Sequence, residues 1–166
     1  MNLLEFIKLD YINIICTLIS AIGAWKSCTY YKRIKKVNEY SSLQDAIITL
    51  QEIQYLLTDV WKNIGEEQKN RRGINLSQKI KENGTKIDKD LTRIMNSLSA
   101  DCSKLMKETL HKTPYPPIEY IGSLISGEYI DDKFGTQKYQ SCKTKIEDIQ
   151  LYLKGESEKL EKSIST

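Results

Sequence analysis

Few side chains in this sequence could carry chemistry. There is one histidine, His111, together with Cys16, Cys28, Cys102 and Cys142 and an acidic turn of Glu128, Asp131 and Asp132. His111 is the group whose ordinary pKa lies nearest neutrality. As a general base it needs an acid, an arginine or a nucleophile held beside it, and Lys107 and Glu108 do not make such a set. Near a predicted helix end, an imidazole more simply meets the last carbonyls. The cysteines form no C-x-x-C pair, and one histidine does not complete the usual zinc sets. Cys16 sits in an apolar run, while Cys102 and Cys142 fall at or beside apolar helical positions, which predicts buried thiols and a reducing cytoplasm. The acidic turn reads as a solvated turn and helix start. No glycine-rich phosphate loop, G-x-S-x-G or H-E-x-x-H occurs. The expectation is a non-enzyme with no cofactor and no metal.

The elements that must position these residues are helical. With 40% apolar and 28% charged residues, the 166-residue chain has the composition of a folded protein. Three prolines and eight glycines leave long uninterrupted stretches. The net charge of +3 is unevenly placed, because residues 1–37 hold six Lys/Arg against two acids. A nucleic-acid-binding body would concentrate its cations on the folded part. Nucleic acid is therefore not an expected partner, although Lys69-Asn70-Arg71-Arg72 forms a small basic cluster.

The basic excess follows YINIICTLISAIGAWKSCTYY, residues 11–31, which runs straight into KRIKK. Fifteen residues between Asp10 and Lys26 carry no charge. As a helix they cover about 22 Å, short of a hydrocarbon core of about 30 Å. A span must therefore borrow from its flanks, where Trp25, Tyr30 and Tyr31 suit an interface. Lys26 can snorkel there, and Lys32, Arg33, Lys35 and Lys36 form a collar. A signal peptide would want a basic start, and Met1–Asp10 holds two acids and one lysine. A buried core helix and an interfacial helix are the other readings of so short a run. The expectation is a transmembrane helix in a bacterial inner (cytoplasmic) membrane, N-terminus out, with membrane lipid as a partner.

One face of that helix is distinctive. Asn13, Thr17, Ser20, Ala24 and Ser27 recur at spacings of four and three, opposite Ile12, Ile15, Leu18, Ile19 and Ile22. Small, weakly polar residues on one face let helices approach and hydrogen-bond, or line a wetted path. A homo-oligomer is expected through this stripe, and single spans also carry such residues with no partner.

From Lys32 no proline or glycine occurs until Gly65, so the helix should continue into the cytoplasm. Leu43, Ala46, Ile47, Leu50, Ile53, Leu57, Val60, Trp61 and Ile64 keep core-facing spacing. Gly65 predicts a stop, and Glu66–Gly73 a polar turn. Ile80, Ile87, Leu91, Ile94, Leu98, Leu105 and Met106 predict the next helix, ending near His111. Glu82-Asn83-Gly84 can break or kink its first part, which places the firm helix over about 85–111. Pro117 can start a short helix bearing Ile118, Ile121, Leu124 and Ile125. After a loop from Gly127 to Gly135, Tyr139, Cys142, Ile146, Ile149, Leu153 and Leu160 mark the last helix, frayed at its end. The fold class is all-α. A tail and transmembrane helix over 1–31 precede a cytoplasmic bundle over 32–166, with three long helices and one short.

Span, collar and helical body resemble the small membrane accessory proteins of type VI-B CRISPR loci. The resemblance is architectural, resting on YINIICTLISAIGAWKSCTYYKRIKK followed by the bundle. It implies a degenerate HEPN-type helical domain assembling into a membrane pore in prokaryotic antiviral defence. HEPN ribonucleases place a histidine four to six residues after an arginine. Arg33, Arg71, Arg72 and Arg93 do not stand so before His111, and no ribonuclease residues carry over. The function expected is a self-assembling, membrane-depolarising effector. The alternatives are a membrane-tethered adaptor docking a cytoplasmic protein, and a degenerate RNA-binding module.

Overall fold

The computed structural model describes residues 3–70, 76–128 and 132–165, with side chains over 14–67, 76–128 and 135–165. Five helices make up the described residues: α1 (Leu3–Asn70), α2 (Gln78–Ser97), α3 (Ala100–Leu110), α4 (Pro117–Ser126) and α5 (Asp132–Ser165). The chain divides into two compact units, Met1–Asn38 and Glu39–Thr166, with α1 contributing to both.

Over the described side chains of the first unit, residues 14–38, α1 has no buried face. Ile14, Ile15, Leu18, Ile19 and Ile22 are all more than half exposed, and Trp25, Tyr30 and Tyr31 are more exposed still. Among the described residues no helix is long and apolar enough to cross a membrane. The transmembrane helix expected over 11–31 thus finds no support there. The uncharged run is short, Lys26 interrupts it, and the side chains of Tyr11, Ile12 and Asn13 lie outside the described residues.

In the second unit the stripe expected on α1 is the core. Leu43, Ala46, Ile47, Leu50, Ile53, Leu57, Val60 and Ile64 are buried, with Trp61 packed at their edge. They meet Ile80, Ile87, Leu91 and Ile94 of α2 and Cys142, Ile146, Ile149 and Leu153 of α5 in one cluster. Cross-helix bonds fix the directions. Gln44 Nε2 donates to Ser157 Oγ (2.7 Å), and Gln54 Nε2 donates to Gln150 Oε1 (3.0 Å), so α5 runs antiparallel to α1. Arg93 donates to Thr49 Oγ1 (3.3 Å) and Lys79 pairs with Asp59 (3.8 Å), so α2 does the same. α4 packs on α2 and α5, and α3 on α5 and α2.

Several expected boundaries move. α1 passes through Gly65 to Asn70. An interior glycine costs a helix only about 1 kcal/mol. Buried Ile64 holds the helix on one side of Gly65, and on the other Glu67 Oε2 accepts the Ser77 N–H (3.1 Å). α2 runs unbroken through Glu82-Asn83-Gly84, because Gly84 marks a close approach. A Cβ there would lie 2.9 Å from Leu124 Cβ and 3.3 Å from the Ile125 backbone nitrogen. The helix expected over 85–111 is instead divided at Leu98, which is extended (φ −84°, ψ 161°), and Ser99 becomes the N-cap of α3. Serines at 97 and 99 favour such an interruption, since their hydroxyls compete for backbone groups. Ser97 Oγ does so, donating to Ile94 O (3.0 Å).

Pro117 opens α4 as expected, and Gly127 closes it in the left-handed conformation (φ 74°) that favours glycine. The Gly127 carbonyl then accepts the Leu76 N–H (3.2 Å), tying the two inter-helix connections together. α5 begins at Asp132, inside the loop expected to reach Gly135, and stays helical to Ser165 where fraying was expected. Ser157, buried at 3%, gives this last stretch a tertiary anchor through Gln44.

Candidate functional site

His111 caps the end of α3. Its ring Nδ1 lies 2.8 Å from Lys107 O, and its backbone N–H donates to the same carbonyl (3.2 Å). The imidazole thus satisfies a helix terminus, and no acid or nucleophile is bonded to it among the described residues. Cys102 and Cys142 are buried, Cys16 and Cys28 exposed, and all four are free thiols. Burial pushes the Cys142 thiol up to about 12, so it stays protonated and unreactive at neutral pH. Of the acidic turn, Asp131 lies outside the described residues and Asp132 opens α5. No group of three or more His, Cys, Asp or Glu among the described residues could hold a metal ion.

The expected oligomer face lies on α1 in the first unit. Thr17, Ser20, Ala24 and Ser27 are all exposed, while the side chain of Asn13 lies outside the described residues. Thr17 already has an interaction partner. The expected interface residues Trp25, Lys26, Tyr30, Tyr31, Lys32, Arg33 and Lys35 are exposed, and Lys36 is half-buried and engaged. Thr29 Oγ1 donates to Trp25 O (3.0 Å), so this hydroxyl is spent within the helix. Along 14–37 the helix therefore presents a small, hydroxyl-bearing side and an Ile/Leu side, both open, followed by aromatic rings and cations. Such a surface can pack against other helices or enter an apolar medium. It holds no catalytic constellation.

Sequence spacing missed one feature of the second unit. Tyr120, the residue of α4 not counted among its apolar positions, is fully buried. Its ring tilts against Tyr139 (centroids 6.3 Å apart), which stacks on Trp61 (4.7 Å, 5° between planes). The Tyr120 hydroxyl has no hydrogen-bond partner among the described residues, and burial raises its pKa. Its spacing from Pro117 and Leu124, three and four residues, was the available signal. A second device is Lys145 of α5. Its Nζ donates to the carbonyls of Lys112, Pro114 (2.8 Å) and Tyr115 (3.2 Å), clamping the connection between α3 and α4. Ser141 Oγ adds a bond to Tyr115 O (2.9 Å). Both devices hold the fold.

No family model, no curated protein and no solved structure matches this chain.

Proposed function

We propose that the chain is a membrane-anchored, self-assembling helical protein whose N-terminal segment perturbs the bilayer, and that it acts without catalysis. The observation that carries this reading is the stretch 14–37 of α1, where isoleucines and leucines on one side and small residues on the other are all left open to solvent. Water does not support such a surface on its own. Lipid on the isoleucine side and sister copies on the Thr17/Ser20/Ala24/Ser27 side would cover it. Trp25, Tyr30 and Tyr31, followed by Lys32, Arg33, Lys35 and Lys36, support an interfacial ring and a cytoplasmic collar at the same end. The flanks then supply the length that the uncharged run lacks. In this reading the N-terminus faces out, and the second unit lies in the bacterial cytoplasm. The antiviral setting comes from the resemblance to the type VI-B accessory proteins.

The test is membrane potential in cells expressing the full chain. Replacing Asn13, Thr17 and Ser20 by Leu should abolish depolarisation, and depolarisation that persists refutes the reading. The second reading, a tethered adaptor for a cytoplasmic protein, is favoured by Leu151 of α5, exposed at 72%. It expects those substitutions to be harmless and Leu151→Glu to abolish function.

A further inference from the structure

Within the second unit, the side of α1 turned away from the core carries a repeat. Asp45, Glu52, Asp59 and Glu66 stand seven residues apart, and all four are exposed. Asp59 is already paired with Lys79, while the other three have no cation within ion-pair distance among the described residues. A helix drifts only about 20° per seven residues, so the four carboxylates form one row. Beside them lie Ile48 and Tyr55, also seven apart, exposed at 55% and 69%. These two side chains stay largely open, whereas Leu50, Ile53 and Leu57 on the other face are fully buried.

A complementary surface lies elsewhere on the same unit. Lys81, Lys86 and Lys89 of α2 line a groove of about 500 Å³ with Ile125 of α4 on its wall. None of the three ammonium groups has a carboxylate within ion-pair distance among the described residues. Ile125 is the partly open apolar residue there, at 37%. Glu82 also lines the groove, so three cations stand against one carboxylate around an apolar spot, whereas the row on α1 sets four carboxylates beside two.

We propose that these surfaces bind each other between copies of the chain: the Asp45/Glu52/Asp59/Glu66 row of one protomer seats against the Lys81/Lys86/Lys89 groove of the next, with Ile48 or Tyr55 against Ile125. Charge complementarity selects this occupant. Pairing two acidic rows, or two basic grooves, would set like charges opposite one another. Two different patches on one subunit make a head-to-tail contact, which propagates into a ring or a filament and does not stop at a dimer. The inference rests on the self-assembly reading above and supplies its contact outside the N-terminal segment. Tethering to a surface would strengthen it by raising the local concentration of partners.

The experiment measures the mass of the full chain in mild detergent. K86E/K89E and, separately, E52K/E66K should each weaken association about tenfold or more, as two attractions become repulsions. A variant carrying all four changes should regain the parent mass. Raised salt should dissociate the parent and the four-change variant alike. All four positions are exposed, and circular dichroism checks that helicity is retained. Should a reversal unfold the chain, the neutral E52Q/E66Q and K86Q/K89Q pairs give the same reading with a smaller shift. Single-side variants of unchanged mass overturn the proposal, as does a four-change variant no more associated than the single-side ones. Flotation with lipid vesicles reads the anchor separately. A chain that floats but ignores the reversals refutes this contact alone, and one that obeys them without floating refutes only the anchor.

Discussion

The two stretches of α1 at 14–37 and 43–64 both carry many Ile and Leu, and they meet opposite fates. Over 43–64 most of the apolar residues keep to one side at spacings of three and four, and the bundle buries them, with Leu50, Ile53, Leu57 and Val60 at 0% exposure and only Ile48 and Tyr55 left open on the far side. Over 14–37 isoleucines and leucines share the helix with serines, threonines and a basic collar, and Ile19 is left 64% exposed. Arrangement separates the two. A regular stripe is covered by its own chain over 43–64, whereas the Ile/Leu side over 14–37 stays open.

Deleting volume should break the comparison most sharply. Ile53→Ala removes a fully buried side chain from the second stretch and should cost about 2–5 kcal/mol in denaturant unfolding of the full chain. Leu18→Ala in the first stretch, at 58% exposure, should change the same midpoint by less than about 0.5 kcal/mol. Equal losses would mean that 14–37 is buried by its own chain after all, and the membrane reading would fall with that result.

Next in size is Gly84→Val. Its Cβ would press on Leu124 Cβ and on the α4 backbone, and a backbone atom cannot swing away as a side-chain tip can. About 1–3 kcal/mol of destabilisation is expected in thermal or denaturant unfolding. A neutral result would mean that α2 and α4 are not in contact at that point.

The last effect is confined to alkaline solution and contrasts the buried thiols with the open ones. The folded Cys142 thiol is raised from its ordinary 9.0 to about 12, and Tyr120 is raised above its ordinary 10.0. Below pH 9 both folded and unfolded states hold these protons, and nothing is lost. Above it the unfolded groups ionise while the folded ones do not, so the unfolded chain binds fewer protons and stability falls as pH rises. The denaturant midpoint should therefore fall between pH 9 and about 12. Cys142→Ala should flatten part of that slope, whereas Cys16→Ala and Cys28→Ala should leave it unchanged.

Helical class and most of the core were legible in the sequence, because the stripe on 43–64 and those of α2, α4 and α5 repeat where burial requires, although on α4 Ile125 stays exposed and Tyr120 is buried. What was not legible arose where one residue type answers to two physical causes. Gly84 was read as a breaker, yet it is a point of contact, since a missing side chain serves both a turn and a close approach. Leu98 continues the apolar spacing of Leu91 and Ile94, so periodicity ran straight across the place where the backbone turns extended. Gly65 was read as a stop, although the Glu67–Ser77 bond beyond it lies outside what local propensity records. Of the candidate site, Thr17, Ser20, Ala24 and Ser27 could be placed on one helix face in advance. The row at 45, 52, 59 and 66 was equally visible by its spacing, but its meaning depends on the α2–α4 groove, which only folding assembles.

The aromatic trio of Trp61, Tyr139 and Tyr120 has a mechanical corollary. Flat rings have a fixed thickness and do not interleave as branched aliphatics do, so α1, α5 and α4 are shimmed apart at that level by a washer of set gauge. The partnerless oxygen on Tyr120 is then the by-product of using a rigid plate where a softer filler would have packed more cheaply. A bundle gauged in this way should hold its helix spacing while its periphery is remodelled.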